Sequence, residues 1–553
     1  MRRRDVLKSA ASVAALGGAG LRPATAQGVA RTMRFVPQVN LTNLDPVWTV
    51  TNATMTHGYM VFDMLYGIDE HFVPKPQMCA GHELAADGLT WIFTLRDGLL
   101  FHDNNKVRAI DCTTSLARWT VKDPLGQQLA ALIEEMKPLD DKRVQIRLKK
   151  SFPQMLFAFG SRPCFMMPER MANTPASQQI KDSTGSGPFR FLPDEWVSGS
   201  SAVWGKFDRY VPRQEPPSTL SGGKVVNFDR IEWIVQPDPA TAAAALQAGE
   251  VDWVERPLTD LLPMLKRTSG VEVKNITWPF LCVLAFNHLY PPFDNPKLLR
   301  ALLPAVDQRA FIQAIVGEQT ELGHIPTGFF TEGTPMANKA GLEVLSGPRD
   351  IELAKKLVAE SGYQGEPAIL ISPTDQPAFA QLAQVARGLL LVLGLNIDFL
   401  EMDFGSMMVR RTNPAPPDKG GWNCVPQQWT VLNSSNPGNS IGLRANGRDA
   451  GVRLADRRGA GGAAPAMAGH AGSGDTVGTQ RADPASGLRD RAGIATRPGV
   501  DADRVPPDRD GYCESPLPDL LGAEENLTIA GESLGHATRT AGFSVRSTLA
   551  LFI

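Results

Sequence analysis

Residues 368–402 constrain the fold more than any other part of the sequence, because two strand patterns flank a helix pattern. Residues 368–371 form a short apolar run typical of a buried strand, residues 379–393 predict a helix, and residues 395–402 predict a second strand. Strands joined in this way are parallel, and the connecting helix makes a right-handed crossover. We therefore predict an α/β protein that contains a parallel sheet.

A helix is predicted upstream of this unit, after residue 238. Asp238 is a suitable N-terminal cap, Pro239 occupies the first helical position, and Gly249 ends the helix. The four residues from Val251 to Val254 predict a strand directly afterwards.

Two more helices are predicted between residues 295 and 361. The first begins at Asn295-Pro296 and is expected to kink or break at Pro304, because an interior proline costs a helix about 3 kcal/mol. The second is capped by Asp350, with Leu353 and Leu357 predicted on one face.

The N-terminal third of the chain is predicted to be mostly strands and turns. Two strands show alternating apolar residues, the pattern of a sheet with one buried face; these residues are Trp91, Phe93 and Leu95 in one strand and Val144, Ile146 and Leu148 in the other.

An export signal is predicted at residues 1–26. Three arginines precede a small apolar stretch that is too short to span a bilayer, and Ala24-Thr25-Ala26 is a plausible cleavage site. The segment Arg3-Arg4-Asp5-Val6-Leu7-Lys8 resembles a twin-arginine signal, and an ordinary secretory signal is the alternative. Either signal takes the mature protein out of the cytoplasm, with cleavage near Ala26.

Composition and motifs exclude several classes of protein. The formal net charge of −2 gives no field that attracts nucleic acid. The six cysteines form no CxxC pair and the eight histidines show no metal-ligand spacing, so we expect neither a metal site nor a cofactor. No HExxH, G-x-S-x-G or P-loop motif is present, so no catalytic residues are expected. A secreted hydrolase of unknown type remains the alternative, and any disulfide stays open.

Several blocks along residues 31–446 are similar to those of the family-5 bacterial extracellular solute-binding proteins, which include oligopeptide, dipeptide and nickel receptors. The main block is Asp87-Gly88-Leu89-Thr90-Trp91-x-Phe93-x-Leu95-Arg96-x-Gly98-x-x-Phe101-His102-Asp103. Further blocks in the family order are Leu44-Asp45-Pro46, Gly185-Ser186-Gly187-Pro188-Phe189, Leu246-Gln247-Ala248-Gly249-Glu250-Val251-Asp252, Asn287…Pro292-Phe293-Asp294-Asn295, Arg300-Ala301-Leu302…Val306-Asp307-Gln308 and Gly421-Trp422-Asn423.

The resemblance implies a two-lobe periplasmic-binding-protein clamp of type II, in the large cluster with an extra N-terminal subdomain. The first lobe is expected at 27–273 with an inserted subdomain at about 51–183, the second at 274–440, and a return to the first lobe at 441–553. The implied function is that of the periplasmic substrate-binding component of an ABC importer, which binds a peptide-like solute between the lobes. The implied partners are that solute and the membrane permease, with the protein itself a monomer. A metal or haem receptor of the same family is a further alternative.

The resemblance also suggests ligand-binding residues. In peptide-binding relatives an aspartate soon after a Trp-rich segment pairs with the ligand's amino group, and the matching position here is Asn433, which carries no charge. Trp429 and Trp422 are candidates to wall the ligand, with a core role as the alternative. Arg410 or Arg411 matches the region that supplies an arginine for the ligand carboxylate. The His102-Asp103 pair is interpreted as a structural turn, with Asn104 tolerating positive φ where relatives have glycine.

The composition changes abruptly after about residue 446. No lysine follows Lys419, no Phe, Trp or Tyr lies between Trp429 and Tyr512, and residues 451–510 are dominated by Gly, Ala, Arg, Asp and Pro. Such a segment buries too little apolar surface to offset its ordering entropy, so we predict a disordered, aberrant tail from about 447. A frame-shifted and non-functional receptor is one interpretation, and a natural disordered extension is the other. A missing return would leave the first lobe with an unpaired sheet edge.

Overall fold

The structure is a computed structural model that describes residues 31–274, 280–319, 322–438, 440, 539–542 and 547–552. Its described strands form three larger sheets, of seven, six and four strands, and two sheets of two strands each. This mixture of helices and sheets confirms the predicted α/β class.

Residues 31–183 contain many short elements. The strands are β1 (Thr32–Val36), β2 (Asp63–Met64), β3 (Tyr66–Ile68), β4 (Pro74–Pro76), β5 (Cys79–Leu84), β6 (Thr90–Leu95), β7 (Ile133–Pro138), β8 (Arg143–Leu148) and β9 (Phe165–Met166). The helices are α1 (Asn52–Val61), α2 (Ala109–Lys122), α3 (Pro124–Leu132), α4 (Met155–Ser161) and α5 (Glu169–Ala172).

Residues 184–274 add five strands and two α-helices. The strands are β10 (Phe189–Phe191), β11 (Ser201–Lys206), β12 (Arg230–Ile234), β13 (Trp253–Val254) and β14 (Val271–Lys274). The helices are α6 (Pro239–Ala248) and α7 (Leu262–Arg267), and 3-10 turns span Pro193–Glu195 and Thr259–Leu261. Helix α6 confirms its prediction, because the Asp238 side chain accepts from the Thr241 N–H at 2.7 Å and Gly249 has a φ of 78°.

The remaining described residues form the second large sheet, its helices and one further strand of the first large sheet, β20. The strands are β15 (Phe280–Phe286), β16 (Gly323–His324), β17 (Ala368–Pro373), β18 (Ile397–Met402), β19 (Cys424–Thr430), β20 (Arg539–Gly542) and β21 (Ser547–Phe552). The helices are α8 (Pro296–Leu302), α9 (Gln308–Val316), α10 (Glu343–Ser346), α11 (Ile351–Glu360), α12 (Pro377–Val392), α13 (Phe404–Thr412) and α14 (Val431–Ser434), with 3-10 turns at Leu303–Ala305 and Pro417–Lys419.

The seven-stranded sheet, here called the first sheet, has the order β10-β11-β12-β1-β13-β20-β14. Its five strands from β12 to β14 are parallel, so their carboxyl ends lie along one edge. Apolar residues from β1, β12 and β13, including Phe35, Trp233 and Trp253, pack into one core with α1 and the segments around it.

The six-stranded sheet, here called the second sheet, has the order β16-β21-β15-β19-β17-β18. One face carries a large core with helices α8, α9, α11 and α12, and the other carries a smaller core that includes Met407 of α13. The predicted strand–helix–strand unit is confirmed, because β17 and β18 pair in parallel and α12 connects them.

The four-stranded sheet, of order β5-β6-β8-β7, supports a separate core within residues 65–166. Both alternating strands were predicted correctly, and they pair directly with Trp91 opposite Ile146 and Phe93 opposite Val144. The three cysteines of this core, Cys79, Cys112 and Cys164, are free thiols and are buried, as are Cys282 and Cys424 in the second sheet.

The His102 block has a structural role. The His102 Nδ1 accepts from the Gly185 N–H at 3.2 Å, and its Nε2 lies 3.0 Å from the Gly187 carbonyl oxygen. Burial lowers the pKa of His102 to about 4, so the ring is neutral near pH 7. Asn104 has a φ of 68°, as its tolerance of that conformation predicts. The turn therefore holds the block Gly185-Ser186-Gly187 in place through hydrogen bonds to its main chain. The main chain packs so closely at this block that a Cβ on Gly185 would lie 1.8 Å from the Val61 carbonyl oxygen.

Two helix predictions are confirmed. The break at Pro304 is confirmed, because a 3-10 turn there separates α8 from α9. The cap of α11 is confirmed, because the Asp350 carboxylate accepts from the Leu353 N–H at 2.8 Å; the residues of this helix that are buried are Ala354 and Val358, whereas Leu353 is 43% exposed. Small Ala354 lets α11 pack against α8, and Leu357 lies at the margin of that contact.

Most of the predicted aberrant tail, residues 441–538, lies outside the described residues. Two strands beyond it are described. Strand β20 pairs with β13 and with β14, and β21 pairs with β15 and with β16. The expectation of an unpaired edge for want of a returning strand is therefore wrong, because β20 fills that place in the first sheet.

Candidate functional site

The two large sheets are in contact at the ends of their strands, after β13 in the first sheet and at the start of β15 in the second. The chain leaves the first sheet at the carboxyl end of β14, Lys274, and begins β15 at Phe280. Arg256, two residues after the carboxyl end of β13, lies over the ring of Phe280, so this end of β13 is close to the point where β15 begins and β19 ends. In open α/β sheets, ligands bind outside the carboxyl ends of the strands.

Two segments of the first sheet place polar groups at this junction. Glu255 follows β13, and its N–H donates to the Val36 carbonyl oxygen at 3.0 Å. The Glu255 carboxylate accepts from the Gln38 N–H at 2.7 Å, and the Gln38 amide oxygen accepts from Asn52 Nδ2 at 3.2 Å. Burial raises the pKa of Glu255, although the Gln38 hydrogen bond and the charge of Arg256 partly counteract it.

Arg256 connects the two sheets. Its guanidinium carbon lies 5.0 Å from the centroid of the Phe280 ring, at the start of β15. A cation over an aromatic face contributes about 0.5–2 kcal/mol, depending on how far it is desolvated. Burial lowers the pKa of Arg256, and within the described part of the chain it forms no ion pair. The guanidinium is thus held by an aromatic ring of the second sheet.

Trp429 and Thr430 lie at the same junction. In the pairing of β15 with β19, Thr430 is opposite Phe280 and Trp429 is opposite Leu281. Trp429 is 6% exposed and packs in the smaller core of the second sheet, whereas Val431 packs in the core of the first sheet. The chain therefore crosses from one sheet to the other at Thr430. We call Gln38, Glu255, Arg256, Phe280 and Trp429 the junction site.

Arg411 lies beside this site on the Trp429 face of β19. Its Nη1 donates to the Gln427 amide oxygen at 2.6 Å. Among the described residues, neither Arg411 Nε nor Gln427 Nε2 has a hydrogen-bond partner, although both atoms are shielded from solvent. Burial lowers the pKa of Arg411. Gln427 and Trp429 are two residues apart on a strand, so their side chains share a face and lie about 7 Å apart.

Trp422 and Arg410 lie near the start of β19, at the opposite end of the strand from Trp429. Trp422 precedes β19, is fully buried, and donates from Nε1 to the Arg411 carbonyl oxygen at 2.8 Å. Arg410 donates from Nε to the Gly421 carbonyl oxygen at 2.9 Å. Since β19 has seven residues, its two ends are separated by about 20 Å at 3.3 Å per residue. The structure thus brings the Arg411 side chain and Trp429 to one face of β19, places Trp422 in the same core as Trp429, and leaves the Arg410 side chain at the start of the strand.

Asn433 is in α14, just beyond the junction, but its side chain lies outside the described residues. Gln38, Glu255 and Arg256 belong to no sequence motif. In the sequence these residues follow directly after strands, and ligands bind at that position in parallel sheets. This position was the signal that could have identified them.

The described residues contain neither a metal-binding cluster of acidic, histidine or cysteine side chains nor a membrane-spanning helix. Within them, no group of three or more His, Cys, Asp or Glu is arranged to hold a metal ion. No described helix combines the length and apolar character needed to cross a bilayer.

Comparisons with known proteins give consistent findings. Residues 73–450 match the model of the bacterial extracellular solute-binding proteins, family 5 middle. A probable peptide ABC transporter periplasmic-binding protein of Sinorhizobium fredii is 33% identical over 453 residues, which are 81% of this chain and 85% of that protein. A glutathione-binding protein of Pectobacterium atrosepticum is 25% identical over 66% of this chain and 68% of its own length.

Solved structures share the fold at low sequence identity. The oligopeptide-binding protein AppA of Bacillus subtilis, in complex with a nonapeptide, matches with a TM-score of 0.64 and 17% identity over 79% of this chain and 87% of that chain. Such neighbours are two-lobe binding proteins, which confirms the predicted clamp architecture.

Proposed function

Because the chain belongs to the family-5 bacterial extracellular solute-binding proteins, we propose that it binds a peptide-like solute at the junction of its two sheets. As a member of that family it is the extracytoplasmic substrate-binding component of an ABC importer. It hands the solute to a membrane permease without changing it chemically, and it acts as a monomer. The predicted signal, cleaved near Ala26, delivers it to the periplasm.

The Arg411–Gln427 pair carries the proposal for the ligand. The Arg411 Nε and the Gln427 Nε2 are both shielded from solvent, and neither of these two nitrogens has an acceptor among the described residues. Leaving a buried donor unsatisfied costs about 1–3 kcal/mol. A ligand carboxylate supplies acceptors for both donors, and the planar guanidinium fork suits it. Peptides carry such a carboxylate.

Trp429 provides an apolar wall at the same face. Trp429 and Gln427 are on the same strand, β19, and on the same face of it. An extended ligand would therefore contact an aromatic surface next to the carboxylate site. The family resemblance aligns Asn433 with an aspartate of peptide-binding relatives, and an asparagine brings no charge to that position. We propose lobes at 27–273 and 274–440, with a subdomain at about 51–183, that close over the ligand by hinge motion.

Calorimetry with peptides tests this function. Purified mature protein is titrated with a randomised tripeptide library, and with the same library amidated at its carboxyl terminus. We expect saturable binding of the free acids and at least tenfold weaker binding of the amides. The absence of binding to either form contradicts the proposed function, and equal binding of both forms contradicts the role of Arg411.

A further inference from the structure

The five cysteines in the described part of the chain are thiols, and each is fully buried. Cys282 and Cys424 lie in strands of the second sheet. Cys79, Cys112 and Cys164 all belong to one core, that of the four-stranded sheet. This core therefore holds three thiols that no disulfide joins.

Folding makes these three thiols unreactive. Burial hides them from solvent and raises the pKa of each, so the thiolate that attacks a disulfide does not form near neutral pH. The charge of Cys79 adds to the shift at Cys112, and the charges of Asp123 and Cys112 add to the shift at Cys164, so the three thiols are near one another. In an unfolded chain each thiol has an ordinary pKa of about 8.5 and is exposed.

The order of folding and export decides whether such thiols stay reduced. A chain that crosses the membrane unfolded presents them to an oxidising compartment. One thiolate then attacks the disulfide of an oxidase, and a second thiolate attacks the mixed disulfide; the chain gains a disulfide and loses two protons and two electrons, and the oxidase becomes a dithiol. A chain that folds first, in the reducing cytoplasm, has already buried its thiols when it crosses.

The sequence of the export signal agrees with folding before export. The segment Arg3-Arg4-Asp5-Val6-Leu7-Lys8 lies outside the described residues and resembles a twin-arginine signal, which exports folded proteins. We infer that the protein folds in the cytoplasm with its thiols reduced and is carried across the membrane, already folded, by the twin-arginine translocase. This inference goes beyond the proposed ligand binding and does not depend on which solute is bound.

Lysine substitutions in the signal test the route. Arg3→Lys together with Arg4→Lys keeps the positive charge of an ordinary secretory signal and removes the arginine pair. Arg2→Lys is the matched control, because it leaves that pair intact. We expect immunoblots of periplasmic extracts from the host to show at least fivefold less protein for the double variant and wild-type amounts for R2K. A smaller loss in the double variant overturns the inference, as does an equal loss in R2K or a wild type that is not exported.

Rerouting the chain tests the part played by the thiols. Residues 1–26 are replaced by an ordinary secretory signal, so that the same mature chain crosses unfolded. Periplasmic protein is then denatured, alkylated and mapped by mass spectrometry. We expect Cys79, Cys112 and Cys164 to be alkylated when the protein carries its own signal, and at least one of them to be in a disulfide after rerouting. Three thiols in the rerouted protein overturn the inference, and so does a disulfide among them in the protein exported by its own signal.

A further variant covers the case in which the rerouted protein does not accumulate. Rerouted protein with Cys79→Ala, Cys112→Ala and Cys164→Ala should then accumulate at least fivefold more, which supports the inference; without such recovery the arginine-pair experiment decides. Both experiments measure location and thiol state. A protein that is exported folded but binds no peptide therefore contradicts the proposed function alone.

Discussion

Replacing Arg411 with methionine should change stability and binding in opposite directions. The substitution removes a desolvated charge and a shielded Nε that has no acceptor among the described residues, at the loss of one hydrogen bond to Gln427. The bond from Trp422 survives, because it goes to the Arg411 main-chain oxygen. Apolar replacement of buried ionic groups is often neutral or stabilising, so the ligand-free variant should unfold with a free energy between the wild-type value and about 2 kcal/mol above it.

Ligand affinity should fall in the same variant. Truncating one partner of a buried, hydrogen-bonded charge pair costs about 2–5 kcal/mol, which corresponds to a loss of roughly 30- to 5000-fold in affinity. Urea unfolding of ligand-free protein measures the first quantity, and calorimetry with free-acid tripeptides measures the second. A gain or no change in stability together with a large loss of affinity is the expected pair of results.

Arg410→Met is the matched control for this experiment. Arg410 is the preceding residue, and its Nε donates to the Gly421 carbonyl oxygen at the far end of β19. Its loss should lower the free energy of unfolding by about 1 kcal/mol and leave affinity within threefold of the wild type. The reasoning is refuted if Arg411→Met destabilises the protein by more than about 1 kcal/mol and binds peptides normally.

Three further predictions concern the packed glycine, acid stability and position 433. Gly185→Ala forces a Cβ within 1.8 Å of a main-chain oxygen and should lower the melting temperature by more than 10 °C or prevent folding, whereas Gly81→Ala, with open space around its Cβ, should have little effect. Burial lowers the pKa of His102 to about 4 and that of His57 to about 3, so both contribute stability above pH 6.5 that is lost as the pH falls toward those values; an unfolding free energy unchanged between pH 7 and pH 4 would contradict this. Asn433→Asp should raise affinity for free-amine peptides, and no change by calorimetry across a peptide panel would argue against the alignment at that position.

Local patterns predicted the elements that local forces determine. The cap of Asp238, the break at Pro304 and the strand–helix–strand unit at 368–402 each depend on a few neighbouring residues, and all were predicted correctly. The sequence pattern does not determine which face of α11 is buried, because the packing partner α8 decides which residues are covered. Leu353, a stronger apolar signal than Ala354, is consequently on the exposed side.

The junction site could not be assembled from sequence alone. Gln38 and Glu255 are 217 residues apart, and their hydrogen bond exists only because β1 and β13 are neighbours in the first sheet. The family resemblance directed attention to Trp429, Arg410 and Arg411, which lie close together in sequence. It did not indicate that the first sheet places the Glu255 carboxylate and the Arg256 guanidinium at the same junction. The disordered, aberrant tail expected from about residue 447 stays a prediction. The family match ends at residue 450.

Native mass spectrometry of the mature protein purified from its host tests the central claim most directly. The account predicts a complex heavier than the polypeptide by the mass of one short peptide, released intact when the protein is unfolded. Fragmentation of the released species should show a free amino group and a free carboxylate. A bound species that lacks both groups, or the steady conversion of added peptides to products, would contradict the account.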